Sequence, residues 1–156
     1  MITNKPWFSS YPAGVAHHLS YDRYGSLLDL LDESFKTHRE RPAYWCMGKH
    51  FSYEAIDLAS KQLASYLQSL GLSKGARVAI MLPNIPQYPM ALYGVLRAGF
   101  IVVSINPLYT PRELAAQLRD CGAEAILLLE HFGKTLEDAF ALEGHGNPQS
   151  ISVSMR

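Results

Sequence analysis

Residues 87–114 read QYPMALYGVLRAGFIVVSINPLYTPREL. Residues 87–98 span three helical turns, yet only Gln87 and Arg97 among them are plainly polar. A helix that is apolar all round its axis is buried on more than one side. FIVVSI, residues 100–105, follows as a continuous apolar run, the pattern of a strand covered on both faces. Thr110-Pro111-Arg112-Glu113 then forms a complete helix start: a Thr cap, Pro at the first helical position and Glu three residues after the cap. A rival reading of the same segment lines a ligand site with Tyr109 and Thr110.

The pattern extends in both directions. Upstream, RVAIMLP (77–83) is a buried strand ended by proline. Downstream, the helix from Thr110 runs to Cys121, with Gly122 just past its end. AILLL (125–129) is a third buried strand, and 132–142 an amphipathic helix through Leu136, Ala139 and Phe140. Strand and helix alternate, which predicts an α/β fold of parallel βαβ units with right-handed crossovers. The helix at 87–98 is then wedged between the sheet and a second cover, and no segment of the chain presents itself as that cover. Met90, Leu92, Tyr93, Val95 and Leu96 are therefore expected to leave apolar surface open, through which the chain would form a homo-oligomer, aggregate or depend on a partner.

The N-terminal half adds an arm, a helix and a β-hairpin. Residues 1–24 are irregular, with Pro6, Pro12 and Gly14 among Trp7, Phe8, Tyr11, Tyr21 and Tyr24. The arm is expected to pack these rings on the main body; contact with a membrane surface is the alternative. A helix starts at Ser26, with Asp29 in the capping-box position, and carries Leu27, Leu31 and Phe35 on a stripe widened by Leu28 and Leu30. Pro42 is expected to stop it. AYWCMGKHFSY (43–53) reads as a hairpin turning near Met47-Gly48-Lys49. Ser52 caps the next helix, whose inner face holds Ile56, Ala59, Leu63, Leu67 and Leu70 and whose left-handed end is Gly71. The tail EGHGNPQSISVSMR (143–156) has no helical period and is expected to be coil. The expected division is thus an aromatic arm over 1–24, an α/β body over 25–142 and a polar tail over 143–156.

Composition narrows the function classes. The chain has 156 residues, 48% of them hydrophobic and 18% charged, as in globular proteins. Lys plus Arg equals Asp plus Glu at 14 each, which leaves no electrostatic footprint for nucleic acid. Cys46 and Cys121 lack CxxC spacing and fit a reducing compartment as buried free thiols. The N-terminus has no apolar signal core. Arg97 interrupts the longest apolar run before it reaches the roughly 18 residues of a membrane span. A cytoplasmic location is expected, with peripheral contact at the inner membrane face left open.

The sequence carries no self-contained catalytic motif. No GxxxxGK[ST] or GxGxxG loop occurs; GLSKG (71–75) reads as a helix stop. His17 and His18 are adjacent without further ligands, His38 sits at a helix end and His50 on a hairpin strand. Glu54 and Asp57 lie three apart, near a helix start where carboxylates are favoured anyway. No catalytic, cofactor-binding or metal residue is assigned.

The quoted stretch also resembles a known family. YPMALYGVLRAGFIVVSINPLYTPREL is similar to a core motif of the AMP-forming acyl-adenylating enzymes: a helix, an LRAG-type turn, a β-run and a Pro-rich loop. The NPLYTPREL wording resembles the bacterial long-chain fatty acid–CoA ligases. Residues 51–84 are similar to that family's preceding hairpin, helix and strand, and residues 11–34 to its arm and first helix. The resemblance implies the N-terminal part of an enzyme that joins a long-chain fatty acid to CoA through acyl-AMP, using ATP and Mg²⁺. The family's Ser/Thr/Gly-rich phosphate loop, ribose-binding acid, Mg²⁺-binding glutamate and C-terminal lysine have no counterpart here. Residues 138–156 do not resemble it. The chain alone is therefore expected to be scaffold without activity. Two other readings remain: an interaction module that pairs with a full-length ligase or with itself, and a piece of an adenylating enzyme for another acid.

Overall fold

The computed structural model describes residues 5–19, 22–143 and 149–153. Helix α1 (Leu27–Thr37) begins where Ser26 Oγ accepts the Asp29 N–H at 3.2 Å. Phe35 is its buried residue, whereas Leu27 is 53% exposed and lies off the inner stripe. The helix ends at Thr37, and Pro42 instead opens strand β1 (Pro42–Cys46). β1 pairs antiparallel with β2 (Lys49–Ser52). Their turn residues Met47 and Gly48 have φ of 50° and 78°, the left-handed pair that matches strand twist in a two-residue hairpin. Ser52 Oγ accepts the Ala55 N–H at 3.2 Å and starts α2 (Tyr53–Ser69); Gly71, at φ 76°, turns the chain away.

The rest is the expected alternation: β3 (Arg77–Met81), α3 (Gln87–Arg97), β4 (Ile101–Ser104), α4 (Pro111–Cys121), β5 (Ala125–Leu129), α5 (Gly133–Glu143) and β6 (Gln149–Val153). The four strands form one parallel sheet in the order β4-β3-β5-β6. Side chains alternate between its faces. Val78, Ile80 and Leu127 pack with α2 and α3, while Ala79, Met81, Ile126 and Leu128 pack with α4 and α5.

Several sequence expectations need correction. The helix at 87–98 has a cover within the chain: none of these residues is exposed. Gly94 lies against Leu63 of α2 so closely that a Cβ there would stand 2.9 Å from Leu63 Cδ2. Phe35 of α1 meets the Tyr93 ring at 5.8 Å. Val95 is buried and Met90, Leu92, Tyr93 and Leu96 are half-buried, so the wide apolar face expected to support a homo-oligomer is much reduced and the structure gives that oligomer no support. FIVVSI is not buried throughout, because β4 is at the sheet edge: Ile101 is 49% exposed, while Phe100 and Ile105 at its ends are buried.

The tail is not all coil. Residues 149–153 extend the sheet as β6, parallel to β5 with Ala125 opposite Gln149; residues 144–148 and 154–156 lie outside the described residues. Cys46 and Cys121 are free but only half-buried. In the arm, the 3-10 helix Pro6–Ser10 buries none of its residues. Its rings stack on neighbours in the arm instead, Phe8 on His17 at 4.3 Å, and Trp7 stays 53% exposed.

Candidate functional site

Three places in the fold gather polar chemistry. The first is at the C-terminal end of α3, where Arg97 is 12% exposed. Arg97 Nη2 donates to Asp57 Oδ1 of α2 at 2.7 Å and to Asp32 Oδ1 of α1 at 2.9 Å. Its guanidinium carbon lies 5.4 Å from the Phe35 ring centre. Asp57 also accepts from Lys61 Nζ at 2.6 Å, and Arg39 pairs with Glu54 at the rim. The hydrogen bond from Arg39 holds the Glu54 carboxyl below its ordinary value. A hollow of about 400 Å³ opens here. The Asp32, Glu54 and Asp57 carboxylates are all paired with cations, so none of the three is a free base. The arrangement is a clamp on α1, α2 and α3. Glu54 and Asp57, adjacent in sequence pattern, serve different partners: Asp57 reaches a residue forty positions away.

The second place is the carboxyl edge of the parallel sheet. The chain steps outward from β3 to β4, then returns past β3 to β5. Open α/β sheets hold ligands where strand order reverses in this way. The loops there expose Asn84, Asn106, Glu130 and His131. Asn106 Oδ1 accepts the Leu108 N–H at 3.0 Å, and the Tyr88 hydroxyl lies 2.7 Å from Ser104 Oγ. Thr110 caps α4: its Oγ1 accepts the Glu113 N–H at 3.4 Å and donates to Glu113 Oε2 at 2.8 Å, and its own N–H donates to the same oxygen at 2.8 Å. These bonds occupy the Thr110 hydroxyl as donor and acceptor, which favours the cap over the ligand-site reading.

Thr110→Ala is expected to lower stability by about 1 kcal/mol, measured as a shift of the denaturant midpoint at constant slope. A loss below a few tenths would mean that the cap contributes nothing. The backbone bond from Thr110, then its hydroxyl, holds the Glu113 carboxyl below its ordinary value. Its folded value being depressed, the Glu113 contribution is complete above the ordinary carboxylate value of 4.5 and disappears as pH falls through the folded one. The difference between wild type and Glu113→Gln should therefore shrink on acidification.

The third place is a cleft of about 290 Å³ between the β1–β2 hairpin and α3. Tyr44 and Tyr93 face each other there, hydroxyl oxygens 3.3 Å apart. Burial, with the Tyr44 hydroxyl second, pushes the Tyr93 phenol up. The two residues are forty-nine apart, and neither carries a sequence signal that joins them. Among the described residues no group of three or more His, Cys, Asp or Glu could hold a metal ion. His17 and His18 both lie against Phe8 in the arm, His38 lies 5.6 Å from the Tyr53 ring and His50 stacks on Trp45 at 6.0 Å, so His38 and His50 have separate ring partners of their own.

Comparison with known proteins gives a consistent picture. The profile of the AMP-binding enzyme family matches residues 31–154, which carries the likeness through the tail that looked unrelated in the sequence. A long-chain-fatty-acid–CoA ligase of Escherichia coli O6:H1 is 49% identical over 134 residues, covering 85% of this chain and 24% of that protein. One from Bacillus subtilis is 42% identical over 130 residues, covering 83% and 23%. The chain thus spans about a quarter of the length of these relatives. Among solved structures, an anthranilate CoA ligase in complex with anthranoyl-AMP superposes with a TM-score of 0.73 at 20% identity, covering 81% of this chain and 24% of that one. At that identity the likeness concerns the fold alone.

Proposed function

This chain belongs to the AMP-binding enzyme family, and from that premise we propose that it is the N-terminal portion of a long-chain fatty acid–CoA ligase. The whole enzyme would convert ATP, a long-chain fatty acid and CoA to acyl-CoA, AMP and pyrophosphate. The observation that carries this reading is the 49% identity to a ligase of that specificity, sustained over 85% of the chain. Likeness to ligases for aromatic acids is far weaker and gives no reason to prefer another substrate.

The residues present do not fit the nucleotide or its metal. A triphosphate needs a backbone cradle and basic side chains, and the sequence has no Gly-rich phosphate loop. Mg²⁺ needs carboxylates free to ligate, whereas Asp32, Glu54 and Asp57 are held by Arg97, Lys61 and Arg39. No step of the reaction is therefore assigned to these side chains. Their part is to hold the sheet, through the Arg97 clamp and the α2–α3 packing, as a rigid wall for the enzyme.

No described helix is long and apolar enough to cross a membrane. We place the enzyme in the cytoplasm, and the exposed Trp7 and Leu19 of the arm favour peripheral contact with a membrane surface.

Reading the gene beyond codon 156 tests the proposal: a Ser/Thr/Gly-rich phosphate loop in the same frame is expected, and an unrelated continuation would end it. The purified chain should give only background ATP–pyrophosphate exchange with a long-chain fatty acid. Fatty-acid-dependent exchange that disappears with the protein would show that the machinery lies in these residues after all.

A further inference from the structure

The cleft between the hairpin and α3 has the chemistry of a small-molecule site. It is lined by Tyr44, Trp45, Tyr88 and Tyr93 with Pro89 and Leu92, while Cys46 and the exposed Asn84 also border it, and it is partly open to solvent. No charged side chain lines it among the described residues. Its volume of about 290 Å³ is near the lower end of the roughly 300–1,000 Å³ of small-molecule clefts and suits a small ligand.

The polar feature is the tyrosine pair. A hydroxyl–hydroxyl bond prefers about 2.7–2.8 Å, and 3.3 Å leaves this one long. If one hydroxyl donates to the other, the acceptor's own O–H is left with no protein partner among the described bonds. A phenol is ordinarily protonated in the neutral range, and burial moves Tyr93 further in that direction. Turning the donating hydroxyl away from its partner presents two O–H groups side by side, and a single acceptor oxygen can take both in place of the long mutual bond, a net gain of one hydrogen bond. Tyr44 is 37% exposed, so water reaches the cleft; a carboxylate would still give up part of its hydration with no cation to meet it, and a carbonyl oxygen would give up less.

We infer that this cleft binds a neutral, largely apolar molecule through one carbonyl oxygen held by the Tyr44 and Tyr93 hydroxyls. The body of the ligand, alkyl or aryl, lies against Trp45 and Leu92. This binding is independent of adenylation and goes beyond the proposed function, so its success or failure leaves that reading untouched.

Acetophenone is a suitable probe, with ethylbenzene as the match without oxygen and benzoate as the charged match. Each is titrated into the full 156-residue chain and followed by two-dimensional NMR. Acetophenone should give saturable shifts confined to residues 44–46 and 84–93. Tyr44→Phe with Tyr93→Phe should weaken it about tenfold, the effect of one hydrogen bond lost inside a protein. Ethylbenzene should bind wild type and variant alike, and benzoate should bind more weakly than acetophenone. Trp45 is 72% exposed, so Trp45→Ala provides a second variant that spares the fold and should weaken ketone and hydrocarbon together. Absence of saturable shifts up to the solubility limit overturns the inference. So does equal ketone affinity in the tyrosine variant, or benzoate binding as tightly as the ketone.

Discussion

Gly94→Val is expected to cost about 3 kcal/mol, the upper part of the usual range for overpacking a close contact. The cause is the contact of α3 with α2. A Cβ at position 94 would lie 2.9 Å from Leu63 Cδ2, 3.0 Å from Cγ and 3.1 Å from Cβ. The terminal methyl could rotate away, but the Leu63 Cβ is fixed by its backbone, so the helices would have to separate. Val95 and Ala91, buried beside it, would then lose their packing on the sheet. Against a typical domain margin of about 5–15 kcal/mol, that loss is large. Gly94→Ala should cost less, because better helix propensity returns up to about 1 kcal/mol. The diagnostic measurement is a cycle by urea melting: Leu63→Ala introduced with Gly94→Val should recover part of the loss. Strict additivity of the two losses would show that position 94 is not limited by the Leu63 side chain beyond its Cβ.

Arg97→Met should cost about 2 kcal/mol. Removing one partner of a fully buried pair typically costs about 3–5 kcal/mol. Here Asp32 is 52% exposed and can hydrate, and Asp57 keeps Lys61, so the lower figure applies. Methionine preserves packing against Phe35, which isolates the lost charge. Adding Asp57→Asn to Arg97→Met should restore part of the loss, since Asp57, 21% exposed, would otherwise keep its charge with Lys61 as its one remaining ion-pair partner. Arg97→Lys should fall in between, because a single ammonium cannot reproduce the planar fork. Added salt should change these differences little, as the guanidinium is 12% exposed. A loss under about 0.5 kcal/mol for Arg97→Met would mean that the clamp is only a surface ion pair.

Local chemistry explains what could be read in advance. The caps at Ser26, Ser52 and Thr110 and the left-handed glycines at 71 and 122 depend on residues within four positions of each other, and all five hold. The parallel fold followed from runs such as AILLL, which is buried along its whole length. Tertiary choices were not legible. FIVVSI looks like a central strand, and only the sheet order reveals it as an edge. The apolar helix α3 signalled burial on several sides, but not that α2 supplies the second cover. QSISV alternates polar and apolar residues, a strand signal obscured by its short length and its Gly- and Pro-containing approach. The Tyr44–Tyr93 pair depends on hairpin placement and had no counterpart in the sequence pattern.

The edge position of β4 bears on how the chain behaves when crowded. Ile101 and Ile105 donate inward to Ala76 and Ile80, so alternation turns the backbones of Val102 and Ser104 outward. Gly99, at φ 84°, bends the chain before the strand and Pro107 follows it without an amide hydrogen. A strand from another molecule could therefore engage only two residues before the template ran out. Long, flat, apolar edges seed fibrils, and very short ones interrupted by turn residues do not. The sheet is left open at this side, yet the opening is too narrow to propagate a cross-β stack.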